Sequence, residues 1–158
     1  MKSWILPIVL GGLVAGALDI GYAFAHYFLA FEVPPVRILQ SIAAGAIGPE
    51  AARAGGWGAG GLGLLLHFAL TTLMAAFFVA WTRMAPDLNR WPLLSGVSYG
   101  LAIFAIMQVV VLPMSATGGA GGGPEGQFLI GGLLIHAFGV GLPIALIAKH
   151  FAPREAAA

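Results

Sequence analysis

The chain has few charged residues and no cysteine. Lys, Arg, Asp and Glu make up 8% of its 158 residues, whereas a soluble domain carries about 25%. So few charges cannot cover the surface of a globule of this size, which excludes an ordinary water-soluble domain. The absence of cysteine excludes disulfides, thiolate catalysis and Cys-ligated zinc or iron–sulfur centres. A net charge of +1 leaves no basic patch to neutralise several phosphates, so we expect no nucleic-acid partner.

What the chain has instead is apolar sequence. Hydrophobic residues make up 59% of it, and the mean hydropathy is +0.95. A bilayer core requires about 20 apolar residues per helix, and four segments meet this length: residues 4–31, 57–81, 91–112 and 128–148. Tryptophans lie at the boundaries of these segments, as in an interfacial aromatic belt: Trp4, Trp57, Trp81 and Trp91. The sequence therefore predicts an all-α integral membrane protein, a four-helix bundle that forms a single membrane domain over residues 1–158.

The positive charges predict an orientation. If both termini lie inside, the inner side holds five of the seven basic residues: Lys2, Arg83, Arg90, Lys149 and Arg154. The outer side then holds only Arg37 and Arg53. Since Lys and Arg are enriched in short cytoplasmic loops, we predict that both termini are inside. The first apolar run is long for a signal peptide and contains Asp19, so we expect an uncleaved helix.

Two connections are long enough to have structure of their own. Between the first two spans, residues 36–47 carry Arg37, Gln40 and Ser41 on one stripe and apolar residues opposite. This pattern predicts a short amphipathic helix in the outer interface; a re-entrant segment packed on the bundle and an ordinary surface connection are the alternatives. Residues 115–126 contain six glycines and Pro124 but not the Lys-Ser/Thr ending of a phosphate-binding loop, so we expect a flexible outer loop.

Polar side chains in the spans share helix faces with glycines. Asp19, Tyr22 and His26 recur at three- and four-residue steps in the first helix, while His67 and His136 lie on glycine-lined faces of the second and fourth. Because small residues mark the contact faces of membrane helices, these side chains should point into the bundle.

The predicted depths of these side chains converge. With a rise of 1.5 Å per residue, Asp19, His67, His136 and Gln108 lie roughly 20 to 25 Å from the inner boundary, and His26 lies roughly 33 Å from it. We therefore predict a buried site of Asp19, His67 and His136, with Tyr22 and Gln108 beside it. The remaining polar candidates are assigned to the outer rim or interface: His26, Arg37 and Gln40.

The first functional interpretation of this site is the handling of a proton or a small solute across or within the bilayer. Ionisable groups in transmembrane helices are expensive and mark functional sites. Imidazole changes charge near neutral pH, and a carboxylate beside it completes an acid–base pair. We expect membrane lipid as a partner. Because four helices are few for a transporter core, we also expect a homo-oligomer or a larger membrane complex.

Three other interpretations remain open. His67 and His136 can ligate a b-type haem iron across the bundle, or can hold a divalent metal together with Asp19. A non-catalytic accessory or scaffold subunit is the second alternative. Finally, the polar groups can simply hold the helices in register, since such contacts contribute about 0.6 kcal/mol on average. The serines show no arrangement typical of a nucleophilic elbow, and no enzymatic activity is predicted.

Several short motifs resemble those of a widespread family of small four-helix bacterial inner-membrane proteins of unknown function. They are Leu18-Asp19, Arg37-x-Leu39-Gln40-x-Ile42-Ala43-x-Gly45, Leu66-His67-Phe68, Tyr99-Gly100, Val110-Val111-Leu112-Pro113-x-Ser115, Ile135-His136 and Val140-Gly141-Leu142-Pro143. The resemblance covers nearly the whole chain and implies a multi-pass protein of the bacterial inner (cytoplasmic) membrane. It also implies that Asp19, Gln40, His67 and His136 lie within family motifs, but it implies no activity. The glycine-rich segment from Gly118 to Gly126 departs from the family pattern.

Overall fold

The computed structural model describes residues 4–118 and 126–152, which are helical apart from short connections and contain no strand. The helices are α1 (Ile5–Phe31), α2 (Pro35–Ile47), α3 (Pro49–Ala54), α4 (Gly56–Met84), α5 (Pro92–Met114) and α6 (Phe128–His150). A 3-10 turn, Pro86–Asn89, precedes α5. Four of the helices, α1, α4, α5 and α6, are long and apolar enough to cross a membrane. The predicted all-α four-helix bundle is thus confirmed, whereas its orientation stays a prediction.

The helix boundaries follow from proline and from left-handed backbone. Glu32 ends α1 at a φ of 57°, and its N–H donates to the Phe28 carbonyl. Proline occupies the first turn of α2, α3 and α5, where no intrahelical N–H donor is needed. Gly48, at a φ of 82°, separates α2 from α3; only glycine adopts this conformation freely.

We name the two ends of the bundle by what they carry. Because the four spans alternate in direction, α1 begins and α6 ends at one end, here called the terminal end. The opposite end, which carries α2 and α3, is called the distal end. The predicted glycine-rich loop falls mostly on residues 119–125, which lie outside the described part of the chain.

Two pairs of antiparallel helices meet through glycine. A Cβ atom on Gly12 would overlap the backbone of Thr72, which brings α1 against α4. A Cβ atom on Gly100 would overlap the His136 carbonyl oxygen, which brings α5 against α6. Such close approach is what associates helices in lipid, where no hydrophobic drive exists between them.

An apolar cluster fills the terminal half of the bundle and joins the two pairs. Tyr99 takes part in it, and its hydroxyl donates to the Met74 carbonyl oxygen at 2.7 Å. We call this cluster the terminal-half core; it consists of Ala15, Ala75, Phe78, Val79, Tyr99, Ile103, Val140, Ile144, Ala145 and Ala148.

Two of the spans contain a π turn. One covers Met107–Val111 in α5 and the other Ile135–Gly141 in α6. Each is followed by Leu-Pro, at Pro113 and Pro143. A proline inside a helix removes one N–H donor and crowds the carbonyl four residues earlier, and membrane helices accommodate this by local π geometry. π turns are also frequent at functional sites.

The helix α2 packs on the bundle. Its Leu39 carbonyl lies against Gly63 of α4, where any Cβ atom would overlap it, and Ile38 and Leu39 pack with Ile20 of α1. The Ala116 N–H donates to the Gly45 carbonyl oxygen at 2.8 Å and ties α2 to the end of α5. Of the three interpretations of this segment, the structure therefore favours the one packed on the bundle.

Gln40 does not lie on a water-facing stripe of α2, as its place beside Arg37 and Ser41 suggested. Its side chain is buried. Its amide Nε2 donates to the Gly56 carbonyl oxygen at 2.9 Å, and its Oε1 accepts a hydrogen bond from Arg37 Nη1 at 3.0 Å. Both polar atoms thus have partners, which is what allows an amide to be buried.

Candidate polar site

Three helices bring a carboxylate and two imidazoles together at membrane depth. Asp19 lies about 21 Å along α1 from Ile5. Its Oδ2 is 4.0 Å from His67 Nε2 of α4, and its Oδ1 is 4.0 Å from His136 Nδ1 of α6. Each carboxylate oxygen thus faces a different histidine, and Asp19 lies between two helices.

The ring nitrogens nearest the carboxylate donate elsewhere. His67 Nε2 lies 3.0 Å from the Gly16 carbonyl oxygen, and His136 Nδ1 lies 2.9 Å from the Gly132 carbonyl oxygen. Because a carbonyl oxygen can only accept a hydrogen bond, each of these nitrogens carries a proton. A separation of 4.0 Å is too long for a hydrogen bond. The two N–H groups therefore lie near Asp19 but donate their hydrogen bonds to backbone carbonyl oxygens.

The Asp19 carboxylate retains its capacity to accept. Within residues 4–118 and 126–152 no group donates a hydrogen bond to it, although its side chain is only 22% exposed. An ionised carboxylate offers about four acceptor positions, and a partly buried charge without hydrogen bonds is costly. The site is therefore suited to a proton or to a ligand that donates hydrogen bonds.

Aromatic rings hold the two imidazoles in place. The Phe104 ring of α5 meets His136 edge to face at a centroid distance of 5.2 Å and also covers Gly132. The Phe68 ring packs against His67 at 5.5 Å, and a Cβ atom on Gly16 would meet it at 2.7 Å. These contacts fix the rings close to the backbone carbonyls that they bond.

Tyr22 and His26 continue the Asp19 face of α1 toward the distal end. Their rings stack at a centroid distance of 5.3 Å with an interplanar angle of 15°. The Tyr22 hydroxyl lies against the backbone of Gly131 in α6 and makes no hydrogen bond to Asp19. His26, assigned from the sequence to the outer rim, is half-buried, and its Nε2 is buried without a hydrogen-bond partner in the described chain.

Three other predicted residues lie outside the site. Gln108 is half-buried on the π turn of α5 and has no hydrogen bond to Asp19, His67 or His136. Arg37 is exposed and bonds Gln40, which in turn bonds the start of α4. Arg37 and Gln40 thus connect α2 to α4, and none of the three residues bonds the carboxylate.

A three-ligand metal centre has no support in the described residues, where no group of three or more His, Cys, Asp or Glu side chains can hold a metal ion. Ligation of a haem iron by the two histidines stays a prediction.

Sequence reasoning missed the part that two backbone carbonyl groups play in the site. The carbonyls of Gly16 and Gly132 take the imidazole protons, and no side-chain pattern indicates an acceptor on the main chain. One signal was available: Gly132 lies four residues before His136, within reach of that side chain on a helix, and Pro143 follows where the π turn ends.

Comparisons of the chain with protein-family models, with curated proteins and with solved structures give no match.

Proposed function

We propose that this membrane protein handles a proton or a small cation at the Asp19–His67–His136 site. The observation that carries the proposal is the Asp19 carboxylate, which is held between two imidazoles at 4.0 Å from each and accepts a hydrogen bond from neither. A carboxylate with open acceptor positions at membrane depth is suited to take up a proton or a cationic donor.

The charge at the site favours positive over negative solutes. Along the four spans as described, Asp19 is the one Asp, Glu, Lys or Arg side chain away from the helix ends; Arg83 and Lys149 lie in the last turns of α4 and α6. An anion would meet a carboxylate with no compensating cation, whereas a proton or a small cation would neutralise it.

The two histidines supply proton exchange. Imidazole gains and loses a proton near neutral pH, and a movement of about 1 Å would shorten either contact to hydrogen-bond distance. Asp19 can then accept from His67 or from His136 in turn. This arrangement favours a relay between α4 and α6 over a fixed structural link, since a fixed link would have hydrogen bonds already made.

A flux measurement tests the proposal. The full chain is reconstituted in liposomes that contain a pH-sensitive dye, and an imposed pH gradient is followed with the membrane potential clamped. We expect the wild-type protein to dissipate the gradient and Asp19→Asn to lower the rate by about 100-fold, which is the effect of removing one proton-transferring group. A second arm measures uptake of labelled methylammonium, which tests for a small cation.

The matched control is Asp87→Asn, the same chemical change at an exposed residue of the 3-10 turn, paired only with Arg90. It should leave the rate unchanged. If Asp19→Asn is folded and as active as the wild type in both arms, or if the wild-type protein is no faster than empty liposomes, the proposal is wrong.

A further inference from the structure

We propose that Tyr22 and His26 form a distal gate through which the proton or cation reaches Asp19, with His26 as the first proton acceptor. This inference rests on the proposed function and assigns the route to that site. It comes from the placement of one half-buried imidazole that the Asp19–His67–His136 arrangement does not use and whose Nε2 is buried without a hydrogen-bond partner in the described chain.

The gate residues lie in line with the site. Asp19, Tyr22 and His26 follow one another at three- and four-residue steps along α1, so they share one helix face. The rise of the helix places His26 about 10 Å from Asp19 along the axis, toward the distal end. Tyr22 lies between the two, and its ring is stacked on that of His26.

His26 is enclosed by aromatic rings. One face lies on Tyr22, and the Phe128 ring of α6 meets it edge to face at 5.1 Å. Tyr27 contacts it at 5.7 Å in the same manner. Of these neighbours Tyr22 and Tyr27 are titratable, and Asp19 is the nearest charged group along the face. Phe128 is the residue of α6 that contacts the ring.

The unpaired nitrogen distinguishes this cluster from ordinary aromatic packing. A buried polar atom without a hydrogen bond is costly, and a phenylalanine would fill the same space without that cost. His26 Nε2 nevertheless has no partner in the described chain. A nitrogen that is left free can accept a proton that arrives from the distal end, and its neighbour Tyr22 carries a hydroxyl on the path to Asp19.

Two other sides of the site are covered. The helix α2 covers the seam between α1 and α4, where Ile38 packs on Ile20 and Leu39 lies against Gly63. The terminal-half core lies on the other side of Asp19. Among the described residues, Tyr22, His26 and Phe128 close the seam between α1 and α6. Gly131 leaves space for the Tyr22 hydroxyl, and a rotation of that one side chain would open the seam.

The test compares His26→Phe, which keeps a ring but not the titratable nitrogen, with His150→Phe, the same change at the exposed last residue of α6. In the liposome assay we expect His26→Phe to lower the proton flux by at least about tenfold, and His150→Phe to leave it unchanged. We also expect the dependence of the rate on pH to differ between His26→Phe and the wild type. A residue that served packing alone would not change the pH profile.

A cysteine substitution provides a second measurement that does not depend on the phenylalanine variant. The chain has no cysteine, so His26→Cys carries a single thiol. A charged, membrane-impermeant thiol reagent should block its remaining flux, whereas labelling of Glu50→Cys, on the exposed side of α3, should not.

The outcomes separate the two proposals. If flux depends on Asp19 but His26→Phe keeps the wild-type rate and pH profile, or if labelled His26→Cys remains active, the gate is wrong and the site proposal stands. If flux does not depend on Asp19, both fail. Loss of flux and a changed pH profile in His26→Phe, together with block of His26→Cys, support the gate.

Discussion

The terminal and distal halves of the bundle are built on different principles. The terminal half is packed with apolar side chains, of which Phe78 and Ile144 are 1% exposed. The distal half holds the carboxylate, the histidines and the Tyr22–His26 stack. The π turn of α5 begins at Met107, beyond the core residues of that helix, whereas the π turn of α6 includes Val140 of the terminal-half core. One half thus provides the stability of the bundle, and the other carries polar groups whose hydrogen bonds are incomplete.

This difference agrees with the cost of polar groups in lipid. An apolar interior can be packed without unpaired polar atoms, and the one polar side chain of the terminal-half core, Tyr99, has its hydrogen bond to the Met74 carbonyl oxygen. In the distal half, Asp19 and His26 Nε2 have no hydrogen bond from the described chain. Asn89 Oδ1 is also buried without a partner there, but it lies in the 3-10 turn at the terminal end, outside the terminal-half core. Buried polar groups without hydrogen bonds lower the stability of the fold, and in membrane helices they are typical of functional sites.

The largest loss of stability that we predict is at the junction of the two halves. A valine at Gly100 would place a side chain on the His136 carbonyl oxygen and force α5 away from α6. We expect Gly100→Val to lower the free energy of unfolding by about 3 kcal/mol, measured by denaturant titration in detergent. Gly61→Ala is the control: an added Cβ there meets nothing within 4 Å, so its stability should equal or slightly exceed that of the wild type. Equal stability of Gly100→Val and the wild type would contradict the close pairing of α5 and α6.

Two neighbouring phenylalanines, one buried and one exposed, test whether the terminal-half core carries the stability of the bundle. Phe78 is 1% exposed and Phe77 is 64% exposed. Phe78→Ala should lower the free energy of unfolding by about 2 kcal/mol, mainly through the cavity that it leaves, whereas Phe77→Ala should change it little because that ring faces outward. Both are measured by the same titration. Similar losses in the two variants would show that the terminal-half core does not carry the stability.

Sequence reasoning succeeded where side-chain pattern determines structure. Hydropathy predicted the four spans, and the three- and four-residue steps predicted the face that carries Asp19. Counting residues from the span ends placed Asp19, His67 and His136 at one depth, and the structure brings these side chains together.

The failures concern backbone groups. Gln40 was assigned to a polar stripe from the helical spacing that it shares with Arg37 and Ser41, but its side chain bonds the Gly56 carbonyl oxygen of another helix. Gln108 was placed beside the site by counting residues along a regular helix, but it lies on a π turn of α5, which adds a residue to the turn and rotates the rest of the helix. Neither a long-range carbonyl acceptor nor a change of helix type is visible in a hydropathy pattern.

The smallest expected change in stability is at the residue with the largest expected effect on flux. Asp19→Asn removes a charge but no hydrogen bond, because both histidines donate to helix carbonyls and stand 4.0 Å away. We expect the free energy of unfolding to change by no more than about 0.6 kcal/mol, the average for polar contacts between membrane helices, while the flux is lost. Denaturant titration and the liposome assay on the same preparation measure the two quantities. If Asp19→Asn instead destabilised the bundle as much as Phe78→Ala, Asp19 would be a structural link between helices. The contrast between a stabilising terminal half and a functional distal half would then be wrong.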